Sequence, residues 1–392
     1  MKIIQINVTA NWGSTGKIAE SIGCAALNNG YESYIAYGRD FNPSQSKLIK
    51  IGSKLNVYVH FTEQTVFDNE GQASRQVTRK FITKIRNIKP DVIHLHNIHD
   101  HYFNYKLLFE YLNTTNIQVV WTFHDCWAFT GHCFHFVTKG CERWKSQCYD
   151  CPLQRMSPKT LLDRSQKNYV LKKRLFTECK NLTIVPCSDW MEGFVKESFL
   201  KDKRIQVIHN GVDLTVFQPP KQRKFSYCTK IIAVSNVWHR EKGLFDIYEL
   251  RKRLPDHYEI TMVGVSKAQM KELPAGIRGI QRTQNVQELA ALYGEADMLV
   301  NPTYADTFPT VNLEALACGT PVITYRTGGS PEAVDEKTGL VVPQGDVNAL
   351  VAAICQLREK PLSREDCRKR AEVCFDKDKC FQQYIDLYNS LL

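Results

Sequence analysis

No apolar run in this sequence approaches the roughly 20 residues that a membrane-spanning helix needs, which excludes a helical integral membrane protein. No secretory leader is expected either, because the apolar start from Met1 to Val8 is too short for a signal segment and reads as a first strand. The expectation is a cytoplasmic protein whose 14 cysteines are mostly reduced. A complete Walker loop is absent too. Gly13-Ser14-Thr15-Gly16-Lys17 has Asn11 where that motif needs a glycine, and Ile18 where it needs Ser or Thr. What remains is a glycine turn ahead of a helix expected to begin near Ile18. Such a turn either brings backbone amides near a phosphate or simply reverses the chain.

Acidic residues are missing between Arg75 and Lys89, a stretch that also carries Arg79, Lys80, Lys84 and Arg86. Val77, Phe81, Ile82, Ile85 and Ile88 give it an apolar side at helical spacing. A basic amphipathic helix of this kind packs on a sheet or lies on an anionic membrane surface. Lys172, Lys173 and Arg174, with Lys201, Lys203 and Arg204 further on, read as a second basic patch.

What is present is a chain of 392 residues, long enough for two domains with separate cores. Its formal charge of +10 points to nucleotide phosphates, anionic lipid or nucleic acid as partners. Nucleic acid is disfavoured, since the aromatics do not interleave with the basic runs and no reader motif occurs. Strand-like and helical runs alternate along the chain, as in a doubly wound parallel α/β sheet. Lys230-Ile231-Ile232 echoes Lys2-Ile3-Ile4, which suggests two units of similar architecture. The polar, proline-containing stretch from Phe217 to Lys224 is the natural boundary.

In the first half, His94 and His96 share one face of a strand by period two, and are expected at its carboxyl end facing a ligand crevice. A metal site there is the alternative. The next strand, 119–123, delivers His124 and Asp125 to a loop. A histidine so placed can hydrogen-bond a substrate, shuttle a proton, or be satisfied by backbone. Cys133, Cys141, Cys148 and Cys151 follow within nineteen residues, closing as Cys-x-x-Cys. That pattern fits a closed structural zinc site, with His132 or His135 able to replace one thiolate, or else buried free thiols.

In the second half, the apolar run from Met298 precedes an acidic loop at Asp306, then a short helix for which Thr310 is the expected N-cap. Glu314 lies one turn inside on the face of Thr310. Unpaired amides at the helix start suit a phosphate, and nearby acids suit sugar or ribose hydroxyls. Solvated acids on an ordinary strand-loop-helix unit would look the same. Arg240 and Lys242 follow the first strand of this half and could clamp a diphosphate.

Taken together, His-Asn-Gly-Val-Asp at 209–213, Lys242-Gly243, the acid-x7-acid stretch from Asp306 to Glu314, Ala-Cys-Gly-Thr-Pro-Val at 317–322 and Gly-Gly-Ser-Pro-Glu at 328–332 resemble the retaining GT-B glycosyltransferases of family 4. The likeness runs over nearly the whole chain, and the Cys-rich segment 126–152 resembles a bacterial subset that builds capsular or exopolysaccharides. It implies two Rossmann-like domains facing a central cleft. These would be an acceptor-side domain at 1–208, a hinge at 209–227 and a nucleotide-sugar domain at 228–375. A C-terminal helix at 376–392 would pack back towards the first domain.

Position by position, the resemblance gives Lys242 the donor diphosphate, Glu314 the ribose and Asp306 the donor-sugar hydroxyls. The backbone at Thr310 and Val311, after Phe308 and Pro309, would meet the phosphates. His124 would contact the donor sugar, and Gly13, Ser14, Thr15 and Gly16 would form the glycine loop. Two departures stand out. Asp306 replaces the usual Glu, and Ser235-Asn236 stand where an Arg is usual, with Arg240 as its candidate substitute.

The expected activity is transfer of a glycosyl group from a nucleotide diphosphate sugar, UDP preferred and GDP the alternative, to a hydroxyl acceptor. A lipid-linked sugar at the inner membrane face is the expected acceptor. Catalysis is expected to need no metal, with zinc only structural. A GT-B-type epimerase or hydrolase, or a zinc-bearing nucleic-acid-binding protein, are the rival readings.

Overall fold

The computed structural model of the chain describes residues 1–156, 158–223 and 226–392; of the boundary stretch above, Lys224 lies outside them. Two compact units result, Met1–Ile208 with Phe381–Leu392, and His209–Cys380. The first unit contains β1 (Lys2–Asn7), α1 (Gly13–Asn28), β2 (Glu32–Tyr37), β3 (Lys47–Lys50), α2 (Lys54–Phe67), α3 (Arg75–Ile88) and β4 (Val92–Leu95). It continues with α4 (Tyr105–Leu112), β5 (Gln118–Phe123), α5 (Ser165–Glu178), β6 (Leu182–Pro186), α6 (Asp189–Glu197) and β7 (Arg204–Ile205).

The second unit contains β8 (Thr229–Val234), α7 (Leu244–Arg253), β9 (Tyr258–Val263), α8 (Lys267–Glu272), β10 (Ile277–Ile280) and α9 (Val286–Glu295). Then come β11 (Met298–Asn301), α10 (Thr310–Ala317), β12 (Val322–Tyr325), β13 (Gly339–Val342), α11 (Val347–Glu359) and α12 (Arg364–Cys374). The last helix, α13 (Lys377–Leu391), starts in this unit, and its residues from Phe381 belong to the first.

Both sheets are parallel and share one strand order. The first runs β3-β2-β1-β4-β5-β6-β7 and the second β10-β9-β8-β11-β12-β13. The short echo noted above falls on the two central strands, where Ile3, Ile4, Ile231 and Ile232 are all essentially inaccessible. Strands covered on both faces read as continuous aliphatic runs. Each fully buried Ile, Leu or Val contributes about 1.5–3 kcal/mol to the core.

The expected basic helix is α3. It buries Phe81, Ile82 and Ile85 and leaves all six cations of 75–89 exposed. The second basic patch is partly an illusion of sequence. Lys172 is buried, with Nζ donating to the carbonyls of Trp127 (2.7 Å) and Thr130 (3.2 Å). Lys203 donates to the carbonyls of Thr177 and Cys179 at the end of α5. Charge runs do not reveal which cation a carbonyl cluster will draw inward.

The helix after the glycine turn begins at Gly13, not near Ile18. Gly16 makes this early start feasible, because a Cβ there would lie 2.6 Å from Thr9 Oγ1. His94 and His96 are also not where the pattern put them. Both are buried inside the unit, where His94 Nδ1 bonds the Tyr388 hydroxyl at 2.6 Å and Nε2 bonds Thr122 Oγ1 at 2.8 Å. Tyr388 comes from α13, whose Phe381, Tyr384, Ile385 and Tyr388 pack with Ile3, Ile22, Val92 and Val120. That distant segment is invisible to period-two reasoning. Replacing Tyr388 with Phe should leave His94 short of one buried partner and cost about 1–3 kcal/mol in chemical denaturation. An unchanged midpoint would show that the bond contributes nothing.

Candidate functional site

In a doubly wound sheet, neighbouring strands whose connections leave to opposite sides open a crevice at their carboxyl ends. In the second unit those strands are β8 and β11. The turn after β8 carries Lys242 and the loop after β11 carries Asp306. Lys242 Nζ lies 2.5 Å from Asp306 Oδ2, with both side chains between a fifth and a third exposed. Two glycines admit this geometry. Gly243 has φ +75°, and a Cβ there would lie 2.3 Å from the Pro302 carbonyl oxygen. Gly328 has φ +57°, and its Cβ would lie 1.7 Å from the Asp306 carbonyl oxygen. The Tyr304 amide donates to the Glu241 carbonyl at 2.8 Å, tying one loop to the other.

Pro309, not Thr310, is the N-cap of α10, and Thr310 is its first residue. The cause is local, since Pro309 holds φ −70° and ψ 115°, and its side chain can accept nothing. Among the described residues no side chain caps this helix and no acid lies in its first turn, so the amides at Thr310 and Val311 keep their anion-binding character. Phe308 is buried, its ring 4.8 Å from that of His209, whose Nε2 lies 3.1 Å from Glu332 Oε2. Two motifs far apart in sequence thus meet. Glu314 Oε2 accepts from the Tyr293 hydroxyl at 2.9 Å. Tyr293 went unnoticed in the sequence because it sits inside α9 with no motif around it. Arg240 is exposed beside Tyr304.

At the corresponding edge of the first unit, Gly13, Ser14 and Thr15 open α1, again with no side-chain cap and no acid in the first turn. Thr15 Oγ1 receives a bond from Asn7 Nδ2 at 3.3 Å. His124 stands at the end of β5, and its Nε2 lies 3.1 Å from His96 Nδ1. Burial lowers the His124 imidazole to about 4, so the ring is neutral near pH 7 and proton shuttling by it is disfavoured. Next to it, Asp125 pairs with His99 at 2.8 Å. Burial opposes the charge of Asp125, yet the His99 charge and hydrogen bond hold its carboxyl at about 2.

The four cysteines assigned to metal are only partly brought together. Cys133 is buried and touches Cys151, and that contact lowers the Cys151 thiol to about 7. The Gly131 amide donates to Cys148 Sγ at 3.2 Å. Among the described residues, no three of the sulfurs of Cys133, Cys141, Cys148 and Cys151 lie within 4.8 Å of one another.

Comparison with known proteins gives two family matches. The profile described as "Glycosyltransferase Family 4" matches residues 22–216, and that described as "Glycosyl transferases group 1" matches residues 228–360. The putative colanic acid biosynthesis glycosyl transferase WcaC of Escherichia coli is 24% identical, covering 100% of both chains. The chain is also similar in fold to sucrose-phosphate synthase from Thermosynechococcus elongatus, with TM-score 0.74 at 19% identity over 100% of this chain and 98% of that one. Anabaena HepE in complex with UDP gives TM-score 0.67 at 13% identity over 100% of both.

The histidines of the first unit set a pH dependence of stability. Burial lowers His60 and His124 to about 4 and takes His94 and His96 well below the ordinary value. Against burial, Asp125 raises His99 and Asp68 raises His132. A lowered histidine takes its proton in the unfolded chain first, so its contribution is full above about 6.5 and is lost as pH falls towards 4. The two raised histidines have the opposite slope, and four outweigh two. The denaturation midpoint should therefore fall between pH 7 and pH 5; a rise over that interval would contradict these environments.

Proposed function

The chain belongs to family 4 of the glycosyltransferases and is a nucleotide-sugar glycosyltransferase with the GT-B fold, and on that premise we propose that the Lys242–Asp306 pair and the start of α10 hold its donor. The observation that carries this reading is the 2.5 Å ion pair at the β8–β11 crevice, immediately ahead of an uncapped helix. Lys242 is the cation for the diphosphate, and the amides of Thr310 and Val311 are the neutral donors beside it. Asp306 exchanges its lysine bond for sugar hydroxyls when the diphosphate draws Lys242 away. Glu314, held by Tyr293, takes the ribose, with Phe308 and Pro309 shaping the loop between. Arg240 is the second cation for the phosphates. Gly13 to Gly16 and His124, on the edge loops of the first unit, are the residues there that the resemblance assigns to the donor.

Transfer then proceeds with retention. The acceptor hydroxyl attacks the anomeric carbon on the face the diphosphate leaves. The carbon–oxygen bond to the diphosphate breaks, and a diphosphate oxygen takes the hydroxyl proton. Lys242 and the helix amides stabilise the developing charge, the work a divalent ion would otherwise do. Asp306 and Glu314 are not read as a glycosidase pair, because the family resemblance assigns Glu314, which accepts from Tyr293, to the ribose and away from the reacting carbon. The donor is a UDP-sugar, supported by the UDP bound to HepE. The product enters surface polysaccharide synthesis, supported by the likeness to WcaC over its full length. Lys242→Ala and Glu314→Ala should each lower turnover by about 10²–10³ while the protein stays folded. Wild-type turnover in either variant would remove this assignment.

A lipid-linked acceptor would bring the enzyme to an anionic membrane. The exposed cations of α3 support this reading, as do Leu55, Tyr58, Val59 and Phe61, all more than half exposed on α2. No helix among the described residues is long and apolar enough to cross a membrane. Sedimentation with vesicles containing phosphatidylglycerol at low salt should carry the protein down. Its staying in the supernatant would count against the membrane reading.

The four cysteines are further proposed to bind one structural zinc ion. Support comes from the Cys133 contact that depresses the Cys151 thiol and from the Gly131 amide bond to Cys148, which works against the burial that pushes that thiol up to about 12. Elemental analysis of the purified protein should find about one zinc per chain; none would mean free thiols.

A further inference from the structure

The segments that carry Lys242 and Asp306 are joined a second time, by a carboxylate that solvent barely reaches. Asp246 lies in the first turn of α7, shortly after Lys242, and is 9% exposed. Its Oδ1 lies 2.9 Å from the hydroxyl of Tyr304 and 2.9 Å from that of Tyr325. The carboxylate oxygen accepts, so both phenols donate to it. Burial, and then the bond to Asp246, push the Tyr304 phenol up to about 12. Burial and the Asp246 charge raise Tyr325 as well, so both phenols keep their protons. Their rings meet edge to face with centroids 5.6 Å apart. Tyr325 ends β12, whereas Tyr304 stands just ahead of Asp306 in the loop between β11 and α10. The main chain of Tyr304 is fastened too. Its amide donates to the carbonyl of Glu241, the neighbour of Lys242, at 2.8 Å, and its own carbonyl accepts from Gln344 Nε2 at 3.1 Å.

We propose that Asp246 is a positioning residue for the transfer reaction: through the Tyr304 hydroxyl it holds the Asp306 loop at a fixed distance from Lys242. The ion pair cannot do this by itself. A partly exposed pair holds two loops weakly, and on the donor reading above it opens when the diphosphate arrives. The Asp246 clasp uses neither the Lys242 ammonium nor the Asp306 carboxylate, so it persists while both turn to the donor. Its bonds are charge-assisted and stronger than those between neutral groups. The loop therefore presents Asp306 and the start of α10 in one arrangement before and after binding, and the donor is spared the cost of ordering it. This deepens the donor-site reading and rests on it for the roles of Lys242 and Asp306; every residue involved lies in the second unit. An acid in a first turn also favours the helix dipole, which alone would make Asp246 a stabiliser of α7. The two tyrosines separate these roles, because both bond the same oxygen and only Tyr304 leads to Asp306.

The test compares Tyr304→Phe with Tyr325→Phe in the full chain, since each removes one phenol from Asp246. Both should lower the denaturation midpoint to a similar extent. Calorimetric titration with UDP and with GDP then reads the affinity for whichever nucleotide the wild-type chain binds. It should fall about tenfold in Tyr304→Phe, the contribution of one hydrogen bond to a charged group, and stay unchanged in Tyr325→Phe. Asp246→Leu should match Tyr304→Phe, and combining the two should cost no more affinity than either alone. Asp246→Asn keeps a carbonyl oxygen that accepts and should bind nearly as the wild type does. Without ligand, deuterium uptake at 303–308 should rise in Tyr304→Phe and not in Tyr325→Phe. Wild-type affinity in a folded Tyr304→Phe protein, or equal losses in the two tyrosine variants, would overturn the positioning role and leave the donor reading standing. Binding of neither nucleotide by the wild-type chain would instead remove the donor reading and this role with it.

Discussion

The reversal of strand order at the centre of each parallel sheet is the constraint from which the rest follows. With β1 and β4 adjacent in one unit, and β8 and β11 in the other, successive connections leave to opposite sides and free the loops at the carboxyl edge from packing duty. Those loops hold nearly every residue to which a role is given: the glycine turn after β1, His124 after β5, Lys242 after β8 and Asp306 after β11. Because the sheets below are buried and aliphatic, the loops are mounted on rigid supports and a side chain's position is set to within the tolerance chemistry requires.

Within the second unit, opposite charges hold each other until a ligand arrives. The Lys242–Asp306 contact satisfies two partly buried ions without a donor present. On the proposed reading, donor binding replaces that contact with two others, the diphosphate for Lys242 and sugar hydroxyls for Asp306. Gly243 and Gly328 belong to the same device, since a methyl group at either would collide with the backbone that carries the pair. Asp306, shorter by one methylene than the residue usual in the family, is within reach of Lys242 because Gly328 lets its backbone settle so close.

Much of this was legible in the sequence, for identifiable reasons. The alternating aliphatic and amphipathic runs gave the parallel architecture, since strand burial and helix periodicity are local properties. The order of motifs from His209 to Glu332 pointed to the family, because these motifs fall in loops and turns, with Lys242 after β8, Asp306 after β11 and Ala317–Val322 in the turn from α10 into β12. Spacing failed where the answer depended on a distant partner. His94 and His96 looked like crevice residues but are buried against α13 and Gln5. Lys172 looked like surface charge but is drawn under Trp127 by carbonyl groups. Tyr293 carried no signal at all, though it holds Glu314. Thr310 lost the capping position to Pro309 by a single residue, the margin at which helix ends are always uncertain from sequence.

On the proposed reading, the ion pair at the β8–β11 crevice is the seat of the donor diphosphate. A crystal structure with a nucleoside diphosphate bound tests it most directly. The claim predicts the terminal phosphate within hydrogen-bonding distance of Lys242 Nζ and of the amides that start α10, with Lys242 parted from Asp306. A diphosphate bound elsewhere, with the 2.5 Å pair still closed, would contradict it.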